Sequence, residues 1–285
     1  MEILYRLARG NALPRLLVGI FIALFLYGAA GDHPQRLMPP TQSFLKPALA
    51  AAAPASLPDY SDRLIELART DHVQLFRWAM ENYDAQVRDY SATFVKQERI
   101  NGKLNPSERI DVQFLDKPFS VLMQWQENPG MVDKLLYAEG HNDNQMIVHP
   151  TGLLSWIKSV KRDPYSKEAQ QSSRRTCDRF GYYRTMQDLL AVYELACQSG
   201  DLQIGYLGKT KVNGRTCVAM ERLLPAKPEY PYARLVTEFD VQYLLPTAIS
   251  CYDWRGQLVS RYVYENLRFN VGLTPEMFTL AANGL

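Results

Sequence analysis

Histidine and cysteine are scarce in this chain, four of each in 285 residues, and neither recurs at the spacing of a metal or redox site. There is no CxxC pair and no paired-histidine signature, which removes zinc ribbons, zinc proteases and thioredoxin-like chemistry. Glycine-rich phosphate loops and the strand-to-helix nucleophile elbow are missing too. Charge of one sign is also lacking. The 32 Lys and Arg are nearly matched by 30 Asp and Glu and lie scattered, so no electrostatic footprint for nucleic acid forms. These absences leave no catalytic residue, metal or cofactor to nominate, and the chain reads as a non-enzyme.

Long apolar runs are lacking as well. The run LLVGIFIALFLYGAA, Leu16 to Ala30, is shorter than the roughly 20 residues that cross a hydrocarbon core comfortably. Arg6, Arg9 and Arg15 precede it, and Gly28 and Ala30 end it where a signal peptidase would cut. Residues 1–30 therefore read as a signal peptide or an N-terminal membrane anchor, and both readings export the rest to the periplasm or cell envelope. No cysteine stands before Cys177, so no acyl-anchored lipoprotein is expected. Residues 31–59 are rich in proline and alanine and read as a linker, which leaves residues 60–285 as one folded domain.

Folding signals begin at Ser61. Leu64, Leu67 and Ala68 share a helical face; Thr70 and Asp71 read as a break or a second cap; Val73, Phe76, Met80, Tyr83 and Val87 continue the stripe to Asp89. From Tyr90 the period becomes two. Strands are expected up to Ile100 and over 108–115, 119–126, 131–139, 145–149, 202–207, 215–224, 234–241, 247–254 and 257–269, with turns at Asn101–Gly102, Asn213–Gly214 and Arg255–Gly256. Thr151 to Phe180 is polar and basic and reads as a mobile loop. A helix is expected from Met186 to Gln198, with Thr185 and Asp188 as its capping box and Gly200 as its stop. Thr274 and Pro275 open a short terminal helix.

About ten strands in chain order, joined by short turns, make an antiparallel sheet. The expected class is α+β: a strongly curved antiparallel sheet, an incomplete β-barrel, with helices across its concave face. Phe119, Val121, Met123 and Trp125 alternate onto one face of their strand, while Leu122 interrupts the polar side. Together with Phe76 and Met80 of the opening helix they are the candidate lining of an apolar cavity. The same residues would equally fill a solid core.

His72, His141 and His149 lack partners at ligand spacing and read as ordinary core or surface residues. Glu238 and Asp240 read as two charges on one solvent face. Lys158, Lys161, Arg162, Arg174 and Arg175 form the most distinctive charge feature, either a solvated loop or a contact for anionic lipid headgroups or an acidic partner. Cys177 with Cys197 is the favoured disulfide pairing, because Cys217 and Cys251 flank an intervening strand.

Two stretches resemble known families. FVKQERINGKLNPSERIDVQFLDKPFSVLMQWQENPGMVDKLLYAEGHNDNQMIVHP, from Phe94 to Pro150, resembles the bacterial family of domain of unknown function 1571. LPTAISCYDWRGQLVSRYVYENLRFNVGLTPEMF, from Leu245 to Phe278, resembles the end of LolA- and LolB-like domains, where a D-x-x-G turn (Asp253 to Gly256) joins two strands before a short closing helix. The resemblance implies an open barrel with a helical lid over a hydrophobic cavity, used in relatives to carry lipoprotein acyl chains or lipids. The expected function is thus binding of a lipid, acyl chain or lipidated partner; the alternative is a structural or regulatory protein–protein interaction module with a filled core.

Overall fold

Alternation from Tyr90 onward becomes a twelve-stranded antiparallel sheet in a computed structural model that describes residues 57–285. The expected targeting segment and most of the expected linker lie outside the described residues. The strands are β1 (Asp89–Ile100), β2 (Lys103–Leu104), β3 (Glu108–Leu115), β4 (Ser120–Glu127), β5 (Val132–Ala138), β6 (Met146–Pro150), β7 (Val160–Arg162), β8 (Gln203–Val212), β9 (Arg215–Leu223), β10 (Arg234–Asp240), β11 (Pro246–Tyr252) and β12 (Leu258–Phe269). Their order across the sheet is β7-β6-β5-β4-β3-β1-β12-β11-β10-β9-β8, with β2 paired to β1 alone. Almost every neighbour is also a neighbour in sequence. The β1–β12 pairing joins the two ends of the chain's sheet region.

Among the described residues five α-helices accompany the sheet: α1 (Ser61–Thr70), α2 (His72–Gln86), α3 (Lys167–Ser172), α4 (Tyr182–Gln198) and α5 (Leu280–Asn283). Asp71 separates α1 from α2, and its side chain accepts from Gln74 N at 2.9 Å, which makes it the N-cap of α2. Helix α4 starts at Tyr182, four residues before the expected start, and Gly181 rather than Thr185 stands at its N-cap. Gly181 has φ of 95°, and a Cβ there would lie 2.7 Å from the Phe114 ring. The aromatic contacts of Tyr182 explain the early start: its ring stacks on Tyr264 at 4.4 Å and leans on Tyr90 at 5.5 Å.

One face of the sheet shares a single core with α1, α2 and α4, built from Leu64, Phe76 and Tyr83 on the helices, Met186 and Tyr193 on α4, and alternate residues of β1, β3–β6 and β9–β12. A sheet this wide that keeps one face on one core must curl around it. The opposite face is covered in part by the C-terminal segment, where Leu115, Leu122, Leu136 and Ile147 pack on Phe278. That cover explains why Leu122 interrupts the polar row of β4.

Three expectations are corrected here. Glu238 and Asp240 do not share a solvent face: Asp240 is fully buried, pairs with Arg215 through both carboxylate oxygens and accepts from Gln242 N and Tyr243 N. Cys177 and Cys197 are free thiols: Cys177 is buried before the start of α4 and Cys197 is exposed in its last turn, about 22 Å along the helix from Tyr182, outside disulfide reach. Thr151 to Phe180 is not an unstructured loop: it holds β7, α3 and two single turns at Gly152–Leu154 and Cys177–Arg179.

Candidate functional site

A cavity of about 510 Å³ opens between β1, β3–β6 and the segment from Pro150 to Phe180. Sheet register builds its wall in rows. Met123, Leu135, Val148 and Val160 are direct cross-strand partners on β4 to β7, and all four line the space. A second row, Trp125, Ile110, Phe94 and Tyr264, runs from β4 to β12 and lines it too. The roof comes from Leu154, Ile157, Pro164, Ala169 and Cys177. A mostly apolar enclosure of this size falls in the range of small-molecule sites.

Aromatic side chains divide this space from the filled half of the core. Phe94 meets Phe180 edge-on at 5.2 Å and stacks on Tyr262 at 5.7 Å. Beyond that partition buried side chains pack under α1, α2 and α4, with Phe119, Phe114, Tyr90 and Tyr182 in successive ring contact.

A tight cluster of charge stands at the end of the wall, apart from Arg162, Glu168 and Arg175 along the roof. Lys96, on the row next to Phe94, lies 3.2 Å from Glu108 and 3.7 Å from Glu98. Glu108 also accepts from the Trp125 indole at 2.6 Å, and Glu98 accepts from the Tyr262 hydroxyl at 2.5 Å and from Arg174 N at 3.2 Å. Burial holds the Tyr262 hydroxyl well above the ordinary phenol value, with the Glu98 charge adding to it. Each carboxylate is held by Lys96 and by at least one hydrogen bond, so the trio works as a fixed wall of the cavity. Cys177 adds no nucleophile, because burial pushes its thiol far up.

Sequence candidates divide between cavity and core. Met123 and Trp125 line the cavity. Phe119, Val121 and Phe76 lie in the filled core and Met80 packs against it. Among the basic residues, Lys158 is exposed, Lys161 pairs with Asp143 at 3.1 Å, and Arg162 stands at the cavity edge. Arg174 and Arg175 turn inward instead. Arg174 donates to the Arg99 carbonyl at 3.1 Å, and Arg175 donates to Asp188 and to the Arg179 carbonyl, each at 3.0 Å. Their bonds stitch the roof to the domain and remove them from the solvent-facing set.

His72 and His149 have structural partners. His72 is buried, with Nε2 2.8 Å from the Ala68 carbonyl and Nδ1 3.3 Å from the Tyr193 hydroxyl. His149 lies 2.6 Å from Asp133 and 3.1 Å from the Ser155 carbonyl. Among the described residues no group of three His, Cys, Asp or Glu is placed to hold a metal ion, and no helix there is long and apolar enough to cross a membrane.

Sequence reasoning missed Phe94, Ile110, Leu135 and Val148 of the wall and the whole of the roof. Leu154, Ile157, Val160 and Ala169 recur at spacings of three, three and nine, which shows neither strand nor helix period. The run Leu153, Leu154, Trp156, Ile157 was the available signal.

A model of the family described as "Protein of unknown function (DUF1571)" matches residues 87–283. No curated protein sequence matches the chain. Among solved structures, a LolA superfamily protein from Nitrosomonas europaea aligns at 10% identity over 71% of this chain and 96% of its own, with a TM-score of 0.33. Mycobacterium tuberculosis lipoprotein LppX aligns at 13% identity over 71% of this chain and 96% of its own, with a TM-score of 0.39. MucB in the Pseudomonas aeruginosa MucA/MucB complex aligns at 13% identity over 72% of this chain and 60% of its own, with a TM-score of 0.41. These scores are too low to carry any argument about a ligand.

Proposed function

We propose that this chain, which belongs to the DUF1571 family, is a non-enzymatic envelope protein that holds a lipid, an acyl chain or a lipidated partner in the cavity roofed by residues 150–180. The observation that carries this reading is the unfilled apolar space of about 510 Å³ between rows of Met123, Leu135, Val148 and Trp125, Ile110, Phe94. Apolar surface left open to water is costly at roughly 25 cal/mol per Å². An alkyl chain covers such surface without any chemistry, by dispersion contacts and release of water. The charges of Lys96, Glu98 and Glu108, with Arg162 at the roof edge, offer a polar headgroup contacts beside the apolar rows.

The alternative, a structural or regulatory protein–protein interaction module with a filled core, is less favoured because Met123, Leu135 and Val148 face an open space. The apolar run Leu16–Ala30 supports export, where lipids and lipidated proteins are the available apolar cargo.

Native mass spectrometry of the full chain released from membranes in mild detergent tests the reading. A lipid-sized adduct that is lost when the cavity is filled by Val148→Trp is the expected result. A bare chain under conditions that keep lipids on a control carrier would overturn it.

A further inference from the structure

The mouth of the cavity carries the most exposed large apolar side chains of the described residues. Leu153 is 95% exposed, Trp156 78%, Met131 72% and Leu154 52%. They come from two neighbouring turns tied together, since Thr151 donates its N–H to the Met131 carbonyl at 3.0 Å and its hydroxyl to the Gly130 carbonyl at 2.8 Å. The tip is a defined turn: Ser155 N donates to the Gly152 carbonyl and Ile157 N to the Leu154 carbonyl. His149, held by Asp133, approaches the Ser155 carbonyl and fixes its base. Scattered exposed apolar residues need no explanation, but a rigid cluster of this kind marks an interaction surface.

Charge decides what covers it. No acidic residue occurs between Gln145 and Arg162, while Lys158, Lys161 and Arg162 follow the tip directly. Lys158 and Arg162 are exposed and have no ion-pair partner among the described residues, while Lys161 shares its charge with the exposed Asp143 at 3.1 Å. Leucine and tryptophan at the tip with a basic collar behind them is the pattern of a segment that enters the headgroup boundary of an anionic bilayer. A protein partner would need an apolar pocket set inside an acidic rim, whereas an anionic bilayer supplies both at any point of its surface.

We propose that the Gly152–Ile157 turn, with Met131, inserts shallowly into an anionic lipid surface and is steered there by Lys158, Lys161 and Arg162. Met131, Leu154 and Arg162 also line the cavity. Docking through this turn therefore sets the cavity mouth against the bilayer, so that a chain passes between membrane and protein without crossing water. The surface stands on its own observations, independent of what the cavity holds.

The full chain is tested with Cys197→Ser and Leu153→Cys, labelled at position 153 with an environment-sensitive dye. The same label on Lys209→Cys, exposed on the opposite edge strand β8, is the reference. The other three cysteines are buried. With vesicles of phosphatidylglycerol and phosphatidylcholine, emission at 153 should shift to the blue, and lipid-borne nitroxide should quench it at least fivefold more than at 209. The triple variant Lys158→Gln, Lys161→Gln, Arg162→Gln should bring 153 down to the reference level. The proposal is overturned if 153 stays as wet as 209, if pure phosphatidylcholine gives an equal shift, or if the triple variant changes nothing. It is also overturned if the dye is buried before vesicles are added, because the turn is then covered by protein. A fluorescent fatty acid in the same samples reads the cavity separately. Uptake of it with 153 in water sinks docking alone, and no uptake with 153 in lipid sinks the cavity reading alone.

Discussion

Trp125 donates its indole N–H to Glu108 Oε2 at 2.6 Å, and both side chains line the cavity. The bond orients the ring on the wall, because Glu108 is itself held by Lys96 at 3.2 Å. An acyl chain in the cavity should therefore touch the indole. A brominated fatty acid is expected to quench tryptophan emission, and Trp125→Phe should remove most of that quenching while lowering stability by about 1–3 kcal/mol through the lost charged hydrogen bond. Undiminished quenching in the variant would place the ligand elsewhere.

Protonation of His72 should work against folding. Burial lowers its value below the ordinary 6.5, so the folded state favours the neutral ring and the unfolded chain binds the proton more readily. Stability then rises with pH wherever the unfolded state carries the extra proton. The expected profile is full stability above about 6.5, the unfolded histidine value, and progressive loss as pH falls below it. His72→Gln should flatten that part of a urea-denaturation series. An equal slope in the variant would contradict the assignment.

Gly181→Ala tests the junction between the roof and α4. The positive φ strains any L-residue, and the added Cβ would lie 2.7 Å from a Phe114 ring that is itself buried. A loss of about 2–4 kcal/mol is expected from strain and overpacking together. An unchanged urea midpoint would mean that the ring can move aside.

Arg222 is buried at 1% exposure on β9 with its guanidinium 4.7 Å over the Tyr193 ring, and its ion-pair distance to every described carboxylate exceeds 4 Å. The ring face offsets part of the desolvation, by about 2 kcal/mol, which is less than the several kcal/mol that burial of a lone ion costs. Arg222→Met keeps the length and removes the charge. The melting temperature should rise, and a fall would show that the guanidinium has a stabilising role.

Strands were legible because both period and punctuation were present. Asn101–Gly102 and Asn213–Gly214 turn with positive φ at each residue, and β3 and β12 lie where alternation places them. Helix α4 was harder: its start is set by Tyr182 packing against Tyr264 across the sheet, and no local cap announces it. The roof was least legible. A segment that folds over an open space buries only one side of each short element, so Lys161, Lys167 and Gln170 dominate its composition while Leu154, Val160 and Ala169 do the enclosing. Strand period also places Val121 and Met123 on the same face but is silent on depth along it. Val121 falls in the filled half and Met123 at the cavity only because α2 and α4 cover one end of the sheet.

The central claim is that the space beneath the roof is open and takes an apolar chain. A titration of the full chain with a fluorescent fatty acid, run beside Val148→Trp, measures that directly, since Val148 lies in the middle of the cavity row between Leu135 and Val160. Saturable uptake by the natural chain, and at least tenfold weaker uptake by a Val148→Trp protein that still melts cooperatively, is the predicted result. Equal uptake by both, or none by the natural chain, would contradict the account.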